Sequence, residues 1–377
     1  MKKEILPFLP VAEPDLGPLE ERYLLEAYRS GWISSLGDFV GRFERNFAAF
    51  GEVGYAVAVS NGTAALHLAL LAAGVGPGDE VIVPALTFAA TAAVVRYCGA
   101  VPVFVDSEPD IGTMDPKAVG RAVTPKTRAI VPVHLYGHPA EMTSILEIAR
   151  TARLTVIEDA AEAHGARYRG KRVGSIGNIG VFSFYGNKIM TTGEGGMVVT
   201  DDADLALRIQ FLKDHAMDPD RRYWHPEVGY NYRITNLQAA IGCAQLERFE
   251  ELSDKRIKVL EMYRKIFGSL TTIAFNPSRP WAQPVAWLVC GLLPNGTSMD
   301  QRDRLMKILK TKGIDSRPYF VPLSKMPPYR DCRMVGVESE SLPVASDLSA
   351  RGLNFPSVVR LTEQDIIRVR EVVEDCL

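Results

Sequence analysis

Cysteine is scarce in this chain, and what there is stands apart. Its five cysteines, Cys98, Cys243, Cys290, Cys332 and Cys376, form no CxxC pair. Neither a structural zinc site nor a disulfide framework is expected, and free thiols suit a reducing cytoplasm. Long apolar runs are missing as well. The most apolar stretch, Ala64 to Val75, contains His67 and falls well short of the ~20 residues that cross a bilayer, so no membrane segment is expected. Pro7, Pro10, Glu13, Pro14 and Asp15 break the segment Met1 to Leu16 before a signal-peptide core can form. There is no excess of one charge: 43 Lys and Arg face 45 Asp and Glu, for a formal net charge of -2. Without a basic surplus to neutralise phosphates, nucleic acid is not an expected partner. Internal repeats and low-complexity segments are absent. A composition of 47% hydrophobic and 23% charged residues excludes a disordered chain, a coiled coil and collagen.

At 377 residues the chain is longer than one compact core usually holds, which predicts a large domain and a smaller one. From Tyr55 to about Asp201 short apolar runs alternate with helical patterns, the signature of a mostly parallel sheet covered by helices. Seven strands are predicted: Tyr55–Ser60, Val81–Pro84, Pro102–Asp106, Arg128–His134, Thr155–Asp159, Ile179–Phe184 and Gly195–Thr200. Helices are predicted at Thr63–Ala73, stopped by Gly74, at Ala140–Ala152, opened by Pro139, and at Asp202–Lys213. Leu237, Ile241, Ala244 and Leu246 keep a helical period, which predicts one long helix from Asn236 to about Phe267. It would bridge a large domain, residues 1–245, and a smaller C-terminal α+β domain, residues 246–377. The smaller domain holds an apolar run at Val285–Leu293, a helical pattern at Met299–Lys312 and a last one at Thr362–Cys376.

Several segments could carry chemistry. Ser60-Asn61-Gly62-Thr63 joins a strand to a helix, where unpaired amides and the helix dipole favour an anion such as a phosphate. The same residues equally suit a plain turn. Gly174 to Gly180 has the wrong spacing for a dinucleotide fingerprint, and Gly193-Glu194-Gly195-Gly196 lacks the GK[ST] ending of a phosphate-binding loop, so it reads as a tight turn into a strand. Glu158, Asp159 and Glu162 cluster at the carboxyl end of an apolar strand, where open α/β sheets place their ligands, although Asp159 would also serve as a helix cap. Lys188 follows Phe182-Ser183-Phe184-Tyr185. A lysine beside buried aromatics loses proton affinity and becomes a nucleophile toward carbonyls, whereas most loop lysines are simply solvated. His134 and His138 are four apart, but on a strand running into a turn they share no helical face, so no metal site is expected. His164 reads as a packed neighbour of the Asp159 turn, and the isolated cysteines read as core thiols.

The order of these features is informative. Gly31-Trp32-Ile33-Ser34-Ser35, Asn61-Gly62-Thr63-Ala64, Pro84-Ala85-Leu86-Thr87-Phe88, Glu158-Asp159-Ala160-Ala161, Phe182-Ser183-Phe184 and Lys188 to Gly196 together resemble the DegT-type nucleotide-sugar aminotransferases, over nearly the whole chain. That resemblance implies a fold-type I α/β architecture, a mostly parallel seven-stranded sheet flanked by helices, with a pyridoxal 5'-phosphate cofactor that alternates with pyridoxamine phosphate. Lys188 becomes the Schiff-base lysine and Asp159 the partner of the pyridinium nitrogen; together they are the expected catalytic residues. Phe88 would stack on the ring, Gly62, Thr63 and Ser183 would hold its phosphate, and Glu162 would face the ring hydroxyl. Gly229-Tyr230-Asn231-Tyr232-Arg233 resembles the family segment whose Asn reaches the phosphate of the neighbouring subunit, which implies a homodimer with shared sites. Trp32, Ser34, Tyr185, Arg222 and Tyr319 are candidates for the substrate.

Met217-Asp218-Pro219, Arg221-Arg222-Tyr223-Trp224, Ser316-Arg317-Pro318 and Met326-Pro327-Pro328-Tyr329 are most similar to the branch that aminates C4 of a GDP-linked 4-keto-6-deoxy sugar with L-glutamate as donor. That branch commonly carries His after the Phe that Val321 follows here, so a dTDP- or UDP-linked keto sugar stays open. Two rivals differ in kind. An effector-binding homologue would have no need of Lys188 with Asp159. A desulfurase would need a mobile cysteine, for which Cys332 is the one loose candidate.

Overall fold

The computed structural model describes residues 7–268 and 273–376. The first six residues of the Met1–Leu16 segment, and residues 269–272 and 377 of the expected smaller domain, lie outside them. In spatial order the main sheet runs Tyr55–Val59, Gly196–Thr200, Ile179–Ser183, Thr155–Asp159, Thr127–Ile130, Glu80–Pro84, Val101–Val105 and Met334–Val335. The seven expected strands are all present. The eighth, only two residues long, comes from the C-terminal part of the chain and pairs in parallel with Val101–Val105. Gly196–Thr200 is antiparallel to both its neighbours and the other pairings are parallel. Both faces of the central strands are buried, which is why they read as unbroken apolar runs.

Helices cover the sheet. Gly62–Ala72 is apolar nearly all round and correspondingly buried; Asn61 caps it, its side chain accepting from the Ala64 amide at 2.8 Å. Asp202 caps Ala203–Lys213 in the same manner. The long helix expected from Asn236 to Phe267 is two helices, Asn236–Glu247 and Phe249–Phe267. Arg248 breaks the run with φ -94° and ψ 5°, and its guanidinium is drawn to Asp15, Glu20 and Glu251. A second apolar cluster forms around Tyr263, Phe267, Phe275, Phe355, Leu309 and Val369, and Leu9 joins it from near the N-terminus. There a four-stranded antiparallel sheet runs Ala274–Phe275, Val289–Leu292, Gly352–Phe355, Arg317–Pro318. Met299–Thr311 and Glu363–Glu374 pack beside it. Among the described residues no helix is long and apolar enough to cross a membrane.

The glycine-rich turn at 174–180 wraps a carboxylate. Glu158 is fully buried and accepts from the amides of Gly174 (2.8 Å), Ile176 (2.6 Å) and Gly177 (2.6 Å). His134 Nδ1 accepts a hydrogen bond from the Ala140 amide at 3.0 Å, which leaves Nε2 to donate to Glu158 at 2.9 Å. His138 turns to the Pro139 carbonyl instead.

Candidate functional site

The turns that follow the strands Tyr55–Val59, Glu80–Pro84, Thr155–Asp159 and Ile179–Ser183 converge on one cleft of about 790 Å³. Ligands gather at such strand ends because helix N-termini and loop side chains point there. At one end of the cleft lie Gly62 and Thr63, the first two residues of a helix, whose amides precede its first internal hydrogen bonds. Gly62 is a glycine for steric reasons: a Cβ there would come within 2.8 Å of Ser183 Cβ.

Asp159 ends its strand with its side chain in the cleft. It is 5% exposed, its Oδ2 accepts from Thr91 Oγ1 at 2.9 Å and its Oδ1 from the Ala161 amide at 3.2 Å. No cation within the described residues pairs with it in an ion pair, and burial holds its proton affinity above the ordinary carboxylate range. Lys188 closes the turn after Ile179–Ser183, its amide bonded to the Tyr185 carbonyl. Its Nζ lies 3.9 Å from Glu162 Oε1 and 3.8 Å from the centre of the Trp287 ring. Burial lowers its pKa, although Glu162 and Asp159 pull the other way. Glu162 is pushed upward by the same burial, with Lys188 opposing. Its Oε2 accepts from the Tyr136 amide at 2.7 Å.

These groups suit pyridoxal phosphate. Lys188 offers a buried, easily deprotonated amine for its aldehyde, and Asp159 a buried carboxylate, in no ion pair among the described residues, for its ring nitrogen. The Gly62–Thr63 helix start offers amides for its phosphate. The half-exposed ring of Phe88 lines the same cleft, as do Ser183 and Tyr185.

Not every expected residue is there. Trp32, Ser34, Arg222 and Asn231 are exposed and do not line this chain's own cleft. Arg233 holds the Asn231 side chain at 3.0 Å, and Arg222 lies over Tyr223. Tyr319 is a correction. It is buried against Gly352 and Tyr136, while its neighbours Arg317, Pro318 and Phe320 line the cleft in its place. Cys332 is no mobile nucleophile either, since it is buried beside Arg96 and its thiol is pushed up to about 11 by that burial. Sequence reasoning missed Thr91, Tyr136, Trp287 and Arg256, which reach the site from distant segments.

Comparison with known proteins gives the family. Residues 14–374 match the model of the DegT/DnrJ/EryC1/StrS aminotransferase family. A GDP-perosamine synthase of Caulobacter vibrioides is 48% identical, over 99% of this chain and 99% of that protein. Among solved structures, S. venezuelae DesV superposes with a TM-score of 0.89 at 35% identity, covering 98% of each chain. Spr1654 of Streptococcus pneumoniae, solved in its PLP form, gives a TM-score of 0.90 at 26% identity, covering 98% of this chain and 100% of that one. Since the match takes in every strand end that builds the cleft as well as the C-terminal sheet, the chain belongs to the DegT/DnrJ/EryC1/StrS aminotransferase family.

Proposed function

We propose that this enzyme is a pyridoxal-phosphate-dependent transaminase that moves an amino group from L-glutamate to C4 of a GDP-linked 4-keto-6-deoxy sugar. The observation that carries the reading is a buried amine, Lys188, and a buried carboxylate with no ion-pair partner among the described residues, Asp159, lining one cleft that begins at a helix N-terminus. Likeness to the Caulobacter GDP-perosamine synthase supplies the nucleotide and the sugar. A dTDP- or UDP-linked sugar is the second reading, favoured by Val321 standing after Phe320.

When bound, pyridoxal phosphate supplies an electron sink beside the carbon that loses or gains a proton. Asp159, its carboxylate aimed by Thr91 and the Ala161 amide, would keep the ring nitrogen protonated. Gly62, Thr63 and Ser183 would bind the phosphate, Phe88 would cover the ring and Glu162 would meet its hydroxyl. Lys188 is the acid–base group: its lowered pKa lets the free amine accept a proton from the donor's α-carbon and give one back on the sugar side. Tyr185 lies at the mouth, where the sugar enters. Asn231 has no place in its own cleft and completes the phosphate site of a partner subunit, with Trp32, Ser34 and Arg222 beside the substrate across that interface. The exposed rings of Trp32, Tyr223 and Trp224 support such a homodimer. Five free thiols favour a cytoplasmic location.

The test is to trap the holoenzyme with borohydride, map the label, and then present the pyridoxamine-loaded enzyme with GDP-, dTDP- and UDP-linked keto sugars. Label on Lys188 and amination of the GDP-sugar are expected, with 2-oxoglutarate released from glutamate in the other half-reaction. Turnover confined to dTDP- or UDP-sugars would transfer the assignment to the second reading, and no label on Lys188 would overturn the mechanism.

A further inference from the structure

Lys188 is held by groups that the proton-transfer scheme does not use. Arg256, on the helix Phe249–Phe267, is 4% exposed and has no ion-pair partner within the described residues. Its guanidinium spans two carbonyls: one nitrogen donates to Lys188 O at 3.1 Å and another to Trp287 O at 2.8 Å. The Trp287 indole N–H donates to Asn187 O at 2.8 Å, so the ring is fixed against the turn that carries the lysine. This closed loop of three hydrogen bonds places Nζ 3.8 Å from the indole centre, while the nearest carboxylate oxygen, on Glu162, stands off at 3.9 Å. A buried ammonium with no closer acceptor gains most from the negative face of an indole.

We propose that Trp287 is a positioning residue, the resting place of Lys188 when its freed amine is protonated, and that Arg256 locks it there. The inference rests on Lys188 being the cofactor-bonding lysine. Around the amine stand Glu162 and Asp159 from the strand-end turn, His164 beyond them, Arg256 behind and the Tyr136 ring, whose hydroxyl accepts from the Phe320 amide. Of these the carboxylates favour the ammonium and desolvation opposes it, which leaves the indole face as the neutral contribution that can be changed alone.

Tryptophan analogues bearing one, two and three ring fluorines drain the ring face without altering its shape. Incorporated into the full-length enzyme they replace Trp32, Trp224, Trp281 and Trp287, but only Trp287 faces Lys188. In the pyridoxamine-loaded enzyme, the pH dependence of Lys188 acylation, read by mass spectrometry on its peptide, should report a pKa that falls stepwise by about one unit across the series. In Arg256→Met the pKa should become insensitive to fluorination. A Lys188 pKa unchanged across the series in the otherwise native enzyme overturns the proposal. Borohydride labelling of Lys188 tests the reading beneath it separately, so the two failures are distinguishable.

Discussion

Asp159→Asn isolates one charge in an otherwise preserved shape. The amide keeps the size of the carboxyl, and its oxygen can still accept from the Ala161 amide or Thr91 Oγ1, the two donors that aim the native side chain. What disappears is the negative charge proposed to face the ring nitrogen of bound pyridoxal phosphate. For two unit charges about 4 Å apart at an effective dielectric near 20, that interaction is worth about 4 kcal/mol. At about 1.4 kcal/mol per power of ten, the rate of the glutamate half-reaction should fall roughly a thousandfold. Stopped-flow absorbance on the holoenzyme follows that half-reaction directly. Circular dichroism and thermal unfolding should show an intact fold, because the amide oxygen can keep the Ala161 amide while the new NH2 donates to Thr91 Oγ1, whose hydroxyl can turn to Thr87 Oγ1 at 3.3 Å. A folded Asp159→Asn enzyme running within tenfold of the parent would refute the assignment of Asp159 to the ring nitrogen.

Three further outcomes follow from the geometry. Gly62→Ala should weaken pyridoxal phosphate binding by tenfold or more in a spectroscopic titration, since its Cβ would crowd Ser183 at 2.8 Å; unaltered affinity would remove that turn from the phosphate site. His164 lies stacked on Phe182 and Phe184, and burial lowers its pKa to about 3. The unfolded chain protonates this histidine near its ordinary value of about 6.5. The stability it contributes is therefore complete above about pH 6.5 and is lost as pH falls toward about 3, by up to ~1.4 kcal/mol per pH unit. His164→Phe should flatten the melting temperature over that window, and an unchanged slope would mean that other groups carry it. Heterodimers of Lys188→Ala with Asn231→Asp, formed by reversible dissociation, should regain activity, because one of their two sites carries neither defect; silent heterodimers from inactive parents would confine each site to one chain.

Much of this architecture is legible locally. The seven longer strands announce themselves as apolar runs because both faces of a covered sheet are dry, and Asn61 and Asp202 cap the helices they precede. What escapes is set by distance along the chain. The Met334–Val335 strand is too short for any periodicity and exists because Val101–Val105 offers it a partner. The helical period runs through Arg248 unbroken, and only the carboxylates of Asp15, Glu20 and Glu251 reveal why the axis breaks there. Within the cleft, Lys188, Asp159, Gly62 and Ser183 stand at strand ends, so order alone brings them together. Trp287 and Arg256 lie about 100 and 68 residues beyond Asn187 and Lys188 and meet that turn only through the fold. Tyr319 misled because residue type suggests a substrate contact, whereas its ring packs on Gly352 and Tyr136 and leaves the cleft to its neighbours.

Glu158 and Asp159 are consecutive acids on one strand, and the pleat sends them to opposite sides. The first anchors the turn at 174–177 and His134 to the scaffold, and the second faces the cleft. A slip of one residue in the pairing of Thr155–Asp159 would exchange them, leaving the ring nitrogen opposite a glutamate one methylene too long and the ring of amides around an aspartate too short to fill it. Structural order and chemistry thus constrain the same register from opposite faces. Insertions or deletions within that strand should be far less tolerated than substitutions of either acid, each of which disables only one of the two tasks.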